Sequence, residues 1–180
     1  MTWSGQFKVA AHYNERINQQ LLTVCENLSC DSMLQDRGVF FDSIIGTWNH
    51  LLVTDLLWLQ RLNITIENDA LLTRQPKIMS PNQVIAAQIN EVSEIRLAID
   101  KIFIRWIEGL KEQQLGADYQ YQSLDNNTIT TPLASILQHI FNHQVHHRGQ
   151  LTALLSQAGV SYGHIDFLQK SQDVIAGASG

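Results

Sequence analysis

The sequence predicts an all-α fold, a four-helix bundle, and three observations carry that prediction. Apolar residues recur at helical spacing over four long segments. The breaks between those segments hold capping residues and prolines rather than evenly spaced β-turns. The 180 residues include only 3 prolines and 10 glycines, too few for an all-β chain with its many turns. At 44% hydrophobic residues the chain makes one domain with a sizeable core, and 16% charged residues exclude a disordered, charge-rich chain.

The first helix is expected from about Phe7 to Leu28. Phe7, Ala10, Ala11, Ile17, Leu21, Leu22 and Val24 form its apolar face, with Glu15, Arg16, Gln19 and Gln20 mostly off it. Ser29-Cys30-Asp31-Ser32 is a break rich in capping residues, and a linker through Arg37-Gly38 leads to Phe40-Phe41. The second helix starts at Asp42 or Ser43, either of which can cap, and runs to about Leu62. It is apolar on most of its circumference, which places it centrally in a bundle or at an oligomer interface. Residues 63–80 read as a connection. Ser80-Pro81, a capping residue with proline at the first helical position, marks the third helix, which continues to about Lys111. Tyr119 to Leu124 alternates with period two, Asp125-Asn126-Asn127 is a turn signal, and Thr128-Ile129-Thr130 is β-prone, so a small hairpin is expected. Thr131-Pro132 repeats the cap-then-proline start, and the fourth helix runs from Pro132 to about Ala158, stopping at Gly159. Residues 1–168 form the bundle in this reading, and 169–180 a weakly structured tail.

Composition also bounds the partners. Twelve Lys plus Arg against seventeen Asp plus Glu gives a net charge of −5, which argues against nucleic acid, since such binders need a basic footprint. The acidic surface charges read as ordinary solvated faces. The most apolar stretch, Ile44 to Leu62, is interrupted by His50, Asp55, Gln60 and Arg61, so no membrane span is expected. The first residues lack a basic segment followed by an apolar one, and no secretory signal is expected. Cys25 and Cys30 are neither a redox pair nor a disulfide framework. A cytoplasmic protein is the expectation.

Histidine is the uneven feature. Four of the seven, His139, His143, His146 and His147, fall within nine positions. His143 and His147 are four apart, which puts both imidazoles on one helix face within reach of one metal ion. His146, three after His143, competes for the role. Polar residues from Asn142 to Gln150 interrupt an otherwise apolar helix, so some must approach the interior, where a polar group needs a partner. A third ligand has to come from a facing helix. His50, alone in the apolar second helix, is the inward candidate, although a lone histidine there is more often a hydrogen-bonded core residue. Di-iron carboxylate bundles carry Glu-x-x-His, and no glutamate here has histidine three residues on. Protease, phosphate-loop and nucleophile-elbow motifs are also missing.

Two runs resemble the DinB family of damage-inducible proteins. One spans Asp36-Arg37-Gly38-Val39-Phe40-Phe41-Asp42-Ser43-Ile44 and continues through Thr47-Trp48-Asn49-His50-Leu51-Leu52-Val53 and Asp55-Leu56-Leu57-Trp58-Leu59. The other is Phe141-Asn142-His143-Gln144-Val145-His146-His147-Arg148-Gly149-Gln150, followed by Gln157-Ala158-Gly159-Val160. The resemblance implies an up-down-down-up bundle and a divalent metal, zinc or nickel, on His50, His143 and His147. It selects His147 over His146, because the family pattern places a ligand immediately before Arg-Gly-Gln. It also implies a homodimer in many members. Some relatives use such a site to bind a low-molecular-weight thiol and transfer it to an electrophile in stress or detoxification. A metal-dependent hydrolase and a non-catalytic metal-binding protein are the alternatives.

Around this site, Gln150, Thr47 and Thr54 lie at helical spacing to orient the imidazoles. Gly149 is a candidate for close helix approach, and Arg148 for a surface or inter-helix ion pair. Asp55, about 140° around the helix from His50, is a poor ligand for the same metal. Trp48, Trp58, Trp106 and Phe141 fit packing, and no residue stands out as a general base.

Overall fold

The computed structural model describes residues 2–66, 69–169 and 171. Thr2 opens the first helix, α1 (Trp3–Cys25), its Oγ1 accepting the Gly5 N–H. The capping-rich break holds a short helix, α2 (Cys30–Leu34), started by Ser29. Helix α3 (Ile44–Arg61) follows. Ser43 is its cap, with Oγ accepting from Gly46 N at 3.1 Å, while Asp42 takes a left-handed φ of 62° in the turn before it.

Ser80-Pro81 does not open the third long helix, α4 (Ile89–Glu108). The physical reason is Asn49 on α3. Its Oδ1 accepts the N–H groups of Ile85 and Ala86 at 2.8 and 3.0 Å, and its Nδ2 donates to Ala86 O at 2.8 Å. That clamp holds the chain extended against α3 where the sequence pattern reads helix. The helix begins where the Glu91 carboxylate accepts the N–H groups of Ala87 and Gln88. A one-turn helix, α5 (Glu112–Leu115), precedes the expected hairpin: β1 (Asp118–Gln122) pairs antiparallel with β2 (Thr128–Pro132), Asp118 opposite Pro132. Asn126 supplies a φ of 60° at its turn. Pro132 closes β2, and α6 (Leu133–Gln157) runs directly from it to Gly159, whose φ of 73° ends the helix. Of the expected tail, residue 170 and residues 172–180 lie outside the described residues.

Side-chain contacts give the helix directions. The start of α1 meets the end of α4 (His12 with Glu108), and its far end meets the start of α4 (Ser93 with Glu26), so the two are antiparallel. α6 runs with α1 (Phe7 on Phe141, Asn14 with Arg148) and against α3 (Trp58 on His139, His50 with His143). α3 and α4 run the same way, with Asn49 near the start of α4 and Asp55 on Arg96. The order is up-down-down-up. Two consecutive parallel helices require the chain to return along the bundle, which is why residues 62–88 form a long connection, carrying one 3₁₀ turn at Leu72–Arg74.

Leu21, Trp48, Leu52, Ile99, Leu137 and Leu154 lie in the core, all fully buried. Its centre is not apolar. Arg96, fully buried, bridges Asp55 on α3 at 2.7 Å and Asp100 on its own helix at 2.8 Å. Asp100 accepts from Asn14 and Asn18 of α1, Arg148 of α6 donates to Asn14, and Gln144 Nε2 donates to Asp55 at 2.6 Å. Asp55 and Asp100 are thus buried charges, and Arg148, expected in a surface or inter-helix ion pair, is buried and reaches across to α1 as a hydrogen bond to Asn14, over the Tyr13 ring. The expectation for Gly149 is corrected. A Cβ there would meet nothing within 4 Å, whereas one on Gly46 would strike the Phe41 carbonyl at 2.0 Å. Gly46 is the close approach.

No helix among the described residues is long and apolar enough to cross a membrane. Replacing Asp55 with alanine strips Gln144 Nε2 of its acceptor and Arg96 of one of two counter-charges. The expected outcome is a loss of about 3–5 kcal/mol in urea unfolding, and an unchanged midpoint would show that the network is not integral to the fold.

Candidate metal centre

The site forms where α3 and α6 cross. His50 projects from α3 and is buried. Its Nδ1 lies 2.9 Å from the carbonyl oxygen of Pro81 in the long connection. A carbonyl only accepts, so Nδ1 carries the proton and Nε2 presents a lone pair. His143 and His147, one turn apart on α6, bring their rings to 4.3 Å between centroids. His147 Nδ1 is 2.8 Å from Gln150 Oε1, which fixes the same tautomer, and Gln150 Nε2 turns toward His146. His50 Nε2 and His143 Nε2 are 3.0 Å apart. One ligand nitrogen from each of the three histidines lies within 4.8 Å of the others, the one such group of metal-capable side chains among the described residues.

The donor set suits a cation. With both Nδ1 atoms committed, His50 and His147 each keep an Nε2 lone pair beside the other histidines. His143 can donate a single N–H, so it can satisfy one of them but not both. A divalent ion accepts from all three, and Zn–N bonds of about 2.0–2.1 Å place nitrogens a little over 3 Å apart. The structure brings together His50, His143 and His147 and leaves the other four histidines out. His12 pairs with Glu108 at 3.1 Å. His139 packs on Trp58, its ring 6.1 Å from that of His143. His146 is exposed and meets His147 edge-on, and His164 is exposed on the segment after α6.

Phe41 is the part of the site that sequence reasoning missed. Its ring stacks on His50 at 3.9 Å and meets His147 edge-on at 5.6 Å, covering one side of two of the three imidazoles. Gly46 lets the Phe41 backbone lie against α3 and so seats that ring. Pro81, which holds His50, was also hidden, because a main-chain carbonyl leaves no mark on residue spacing. Thr47 and Thr54 do not orient the imidazoles; their hydroxyls bond the carbonyls of Ser43 and His50, one turn back. Gln150 does so for His147. A cavity of about 170 Å³, which Phe41 does not line, opens beside His143.

Burial shifts all three imidazoles toward neutrality. Desolvation pulls His143 down to about 3, with His147 and His50 adding repulsion. It pulls His147 down to about 4, partly opposed by the bond to Gln150. His50 is lowered by burial, opposed by the Pro81 carbonyl. Neutral imidazole is the form that ligates a metal.

Residues 2–174 match the DinB family, nearly the whole chain. The chain belongs to the DinB family. Protein DinB of Bacillus subtilis is 29% identical over 156 residues, covering 86% of this chain and 87% of the relative. The crystal structure of a DinB-like protein from Bacillus cereus superposes with a TM-score of 0.60 at 18% identity, over 84% of this chain and 90% of that one. At that identity the likeness speaks to the fold alone.

Two outcomes follow from the geometry. Gln150→Ala removes the acceptor that aims His147, and its affinity for divalent metal should fall about 10–100-fold by competitive chelator titration; an unchanged affinity would mean that Gln150 does not orient the ligand. His143 and His147 bind protons more weakly in the folded chain than in the unfolded one. Their contribution to metal-free stability is therefore full above about pH 6.5 and is lost as pH falls through about 4 toward 3. The urea midpoint of metal-free protein should drop over that window, and the drop should flatten when both are changed to glutamine.

Proposed function

We propose that His50, His143 and His147 hold one divalent metal ion, zinc or nickel, and that the protein is a metal-dependent thiol S-transferase acting in stress response or detoxification. The observation that carries this reading is the convergence of three imidazole nitrogens within 4.8 Å, with the Nδ1 atoms of His50 and His147 tied back to Pro81 and Gln150. Membership of the DinB family supports it. Structural zinc sites are usually closed by four protein ligands, and a three-histidine set leaves positions for an exogenous one.

When bound, the ion supplies Lewis acidity and lowers the pKa of a coordinated thiol. The chain's own residues set access and aim. Phe41 keeps water from one side of His50 and His147, so a ligand approaches from the cavity beside His143. Pro81 and Gln150 hold the imidazoles still. In the transfer the thiol gives its proton to water, its sulfur forms a bond to an electrophilic carbon, and the leaving group departs with the bonding pair. No side chain here is assigned as a base.

The test has two stages. Protein purified without a histidine tag should carry about one divalent metal per chain by elemental analysis, and His50→Ala and His143→Ala should lose it; protein without metal, or a His50→Ala variant that retains it, sinks the site. Cobalt-substituted protein is then mixed with cysteine or glutathione and chlorodinitrobenzene. A thiol-induced change in the cobalt spectrum with turnover supports the transferase. Stoichiometric metal with neither response leaves a non-catalytic metal-binding protein.

A further inference from the structure

The cavity beside His143 runs along the groove between α3 and α6, away from the three histidines. Its apolar walls are Val53 and Leu57 of α3, Ile78 of the long connection and Leu124 of the hairpin turn. Trp58 forms its floor. Its ring lies 5.5 Å from that of His139, which in turn lies 6.1 Å from that of His143. Arg61 also lines it, one helical turn beyond Trp58. Side chains on a helix lean toward its N-terminus, so the guanidinium reaches back along α3 toward His50.

Arg61 is an unusual cation. Its guanidinium sits over the Trp58 ring at 5.0 Å and beside the Tyr121 ring at 5.2 Å. Its Nε donates to Gln122 O at 3.2 Å. Those contacts fix the plane of the fork, and among the described residues neither terminal nitrogen has a protein acceptor. Among the described residues no carboxylate lies within ion-pair distance of it. A guanidinium with no carboxylate beside it is available to an anion that enters the cavity. Burial lowers the pKa of Arg61, with only Tyr121 opposing. The preorganised fork fits a planar carboxylate through two parallel hydrogen bonds.

We infer that this cavity is a substrate subsite for a small organic carboxylate, whose anionic group is held by Arg61 and whose apolar or aromatic body packs on Trp58, with its other end directed at His143. This deepens the proposed function, and rests on it, by naming the class of acceptor that the site takes. The volume of about 170 Å³ is below the ~300–1,000 Å³ of drug-sized sites, so the occupant is a small molecule or one arm of a larger one. The walls draw on two segments outside the four long helices. The long connection supplies Ile78 and the hairpin supplies Leu124, while the hairpin strand also holds Arg61 through Gln122.

The probe pair is phenylacetate and phenylacetamide, which share a body and differ in charge. Binding is measured by calorimetry on the full chain as purified, on metal-free protein, and on Arg61→Gln, with metal content determined for each. The expected result is that wild type prefers the acid over the amide by roughly tenfold or more, and that Arg61→Gln loses this preference while retaining its metal. Arg61→Lys, which keeps the charge without the fork, should fall between them. No preference for the acid in wild type, or the same preference in Arg61→Gln, overturns the subsite. The readouts are separable: wild type that holds no metal would sink the metal reading, whereas the acid-over-amide preference is still measured on the metal-free chain.

Discussion

The Arg96 pair with Asp55 and Asp100 is the constraint on which the rest depends. It lies where all four long helices meet, and each helix contributes a member: Asn14 and Asn18 from α1, Asp55 from α3, Arg96 and Asp100 from α4, Gln144 and Arg148 from α6. Desolvating these charges costs much of what their attraction returns, so net stability is not their main effect. Alignment is. Apolar packing tolerates a helix sliding by a turn; a buried guanidinium with two carboxylates does not, because any slide leaves a charge unpaired. The network is not saturated either, since Arg96 Nε and Gln144 Oε1 are buried without partners. It selects one register rather than giving the deepest well.

That register places the site. Gln144 bonds Asp55 on α3, and Gln144 is flanked in sequence by His143. The same hydrogen bond that aligns α6 with α3 therefore sets His143 opposite His50, 3.0 Å between Nε2 atoms. Asn49 does the comparable task for the connection. By clamping Ile85 and Ala86 to α3, it brings Pro81 back over the next residue, His50. Two neighbouring polar residues on α3 thus divide the work, one pinning the backbone and one using a carbonyl of the pinned segment.

The four long helices and the hairpin were legible because each depends on local periodicity and turn chemistry, which a single sequence displays. The start of α4 was not. Ser80-Pro81 is a good helix opening by local rules, and it is overridden by three hydrogen bonds from Asn49, thirty-odd residues away. The acidic core was hidden for a similar reason: Asp55 and Asp100 look like solvated charges until Arg96 is seen between them. His143 and His147 announce themselves by spacing on one helix. His50 does not, since a lone histidine in an apolar helix has a bland explanation; the need for a third ligand from a facing helix made it a candidate, and the likeness to a known family selected it.

His50 also shows why the bland explanation and the interesting one are hard to separate by residue type. A core histidine needs its polar nitrogens satisfied, and Pro81 satisfies one. Had a donor with no other acceptor to serve faced Nε2, the residue would be a hydrogen-bonded core group and nothing more. What faces it instead is His143, with His147 keeping its own lone pair beside them. A fold seldom keeps facing acceptors close together, because each is better off with a donor, and a single N–H from His143 cannot serve both. The arrangement becomes favourable when something with several empty orbitals sits between them. The fit to a divalent metal thus comes from counting donors against acceptors, and that count is the same for any ion that imidazole nitrogens can ligate.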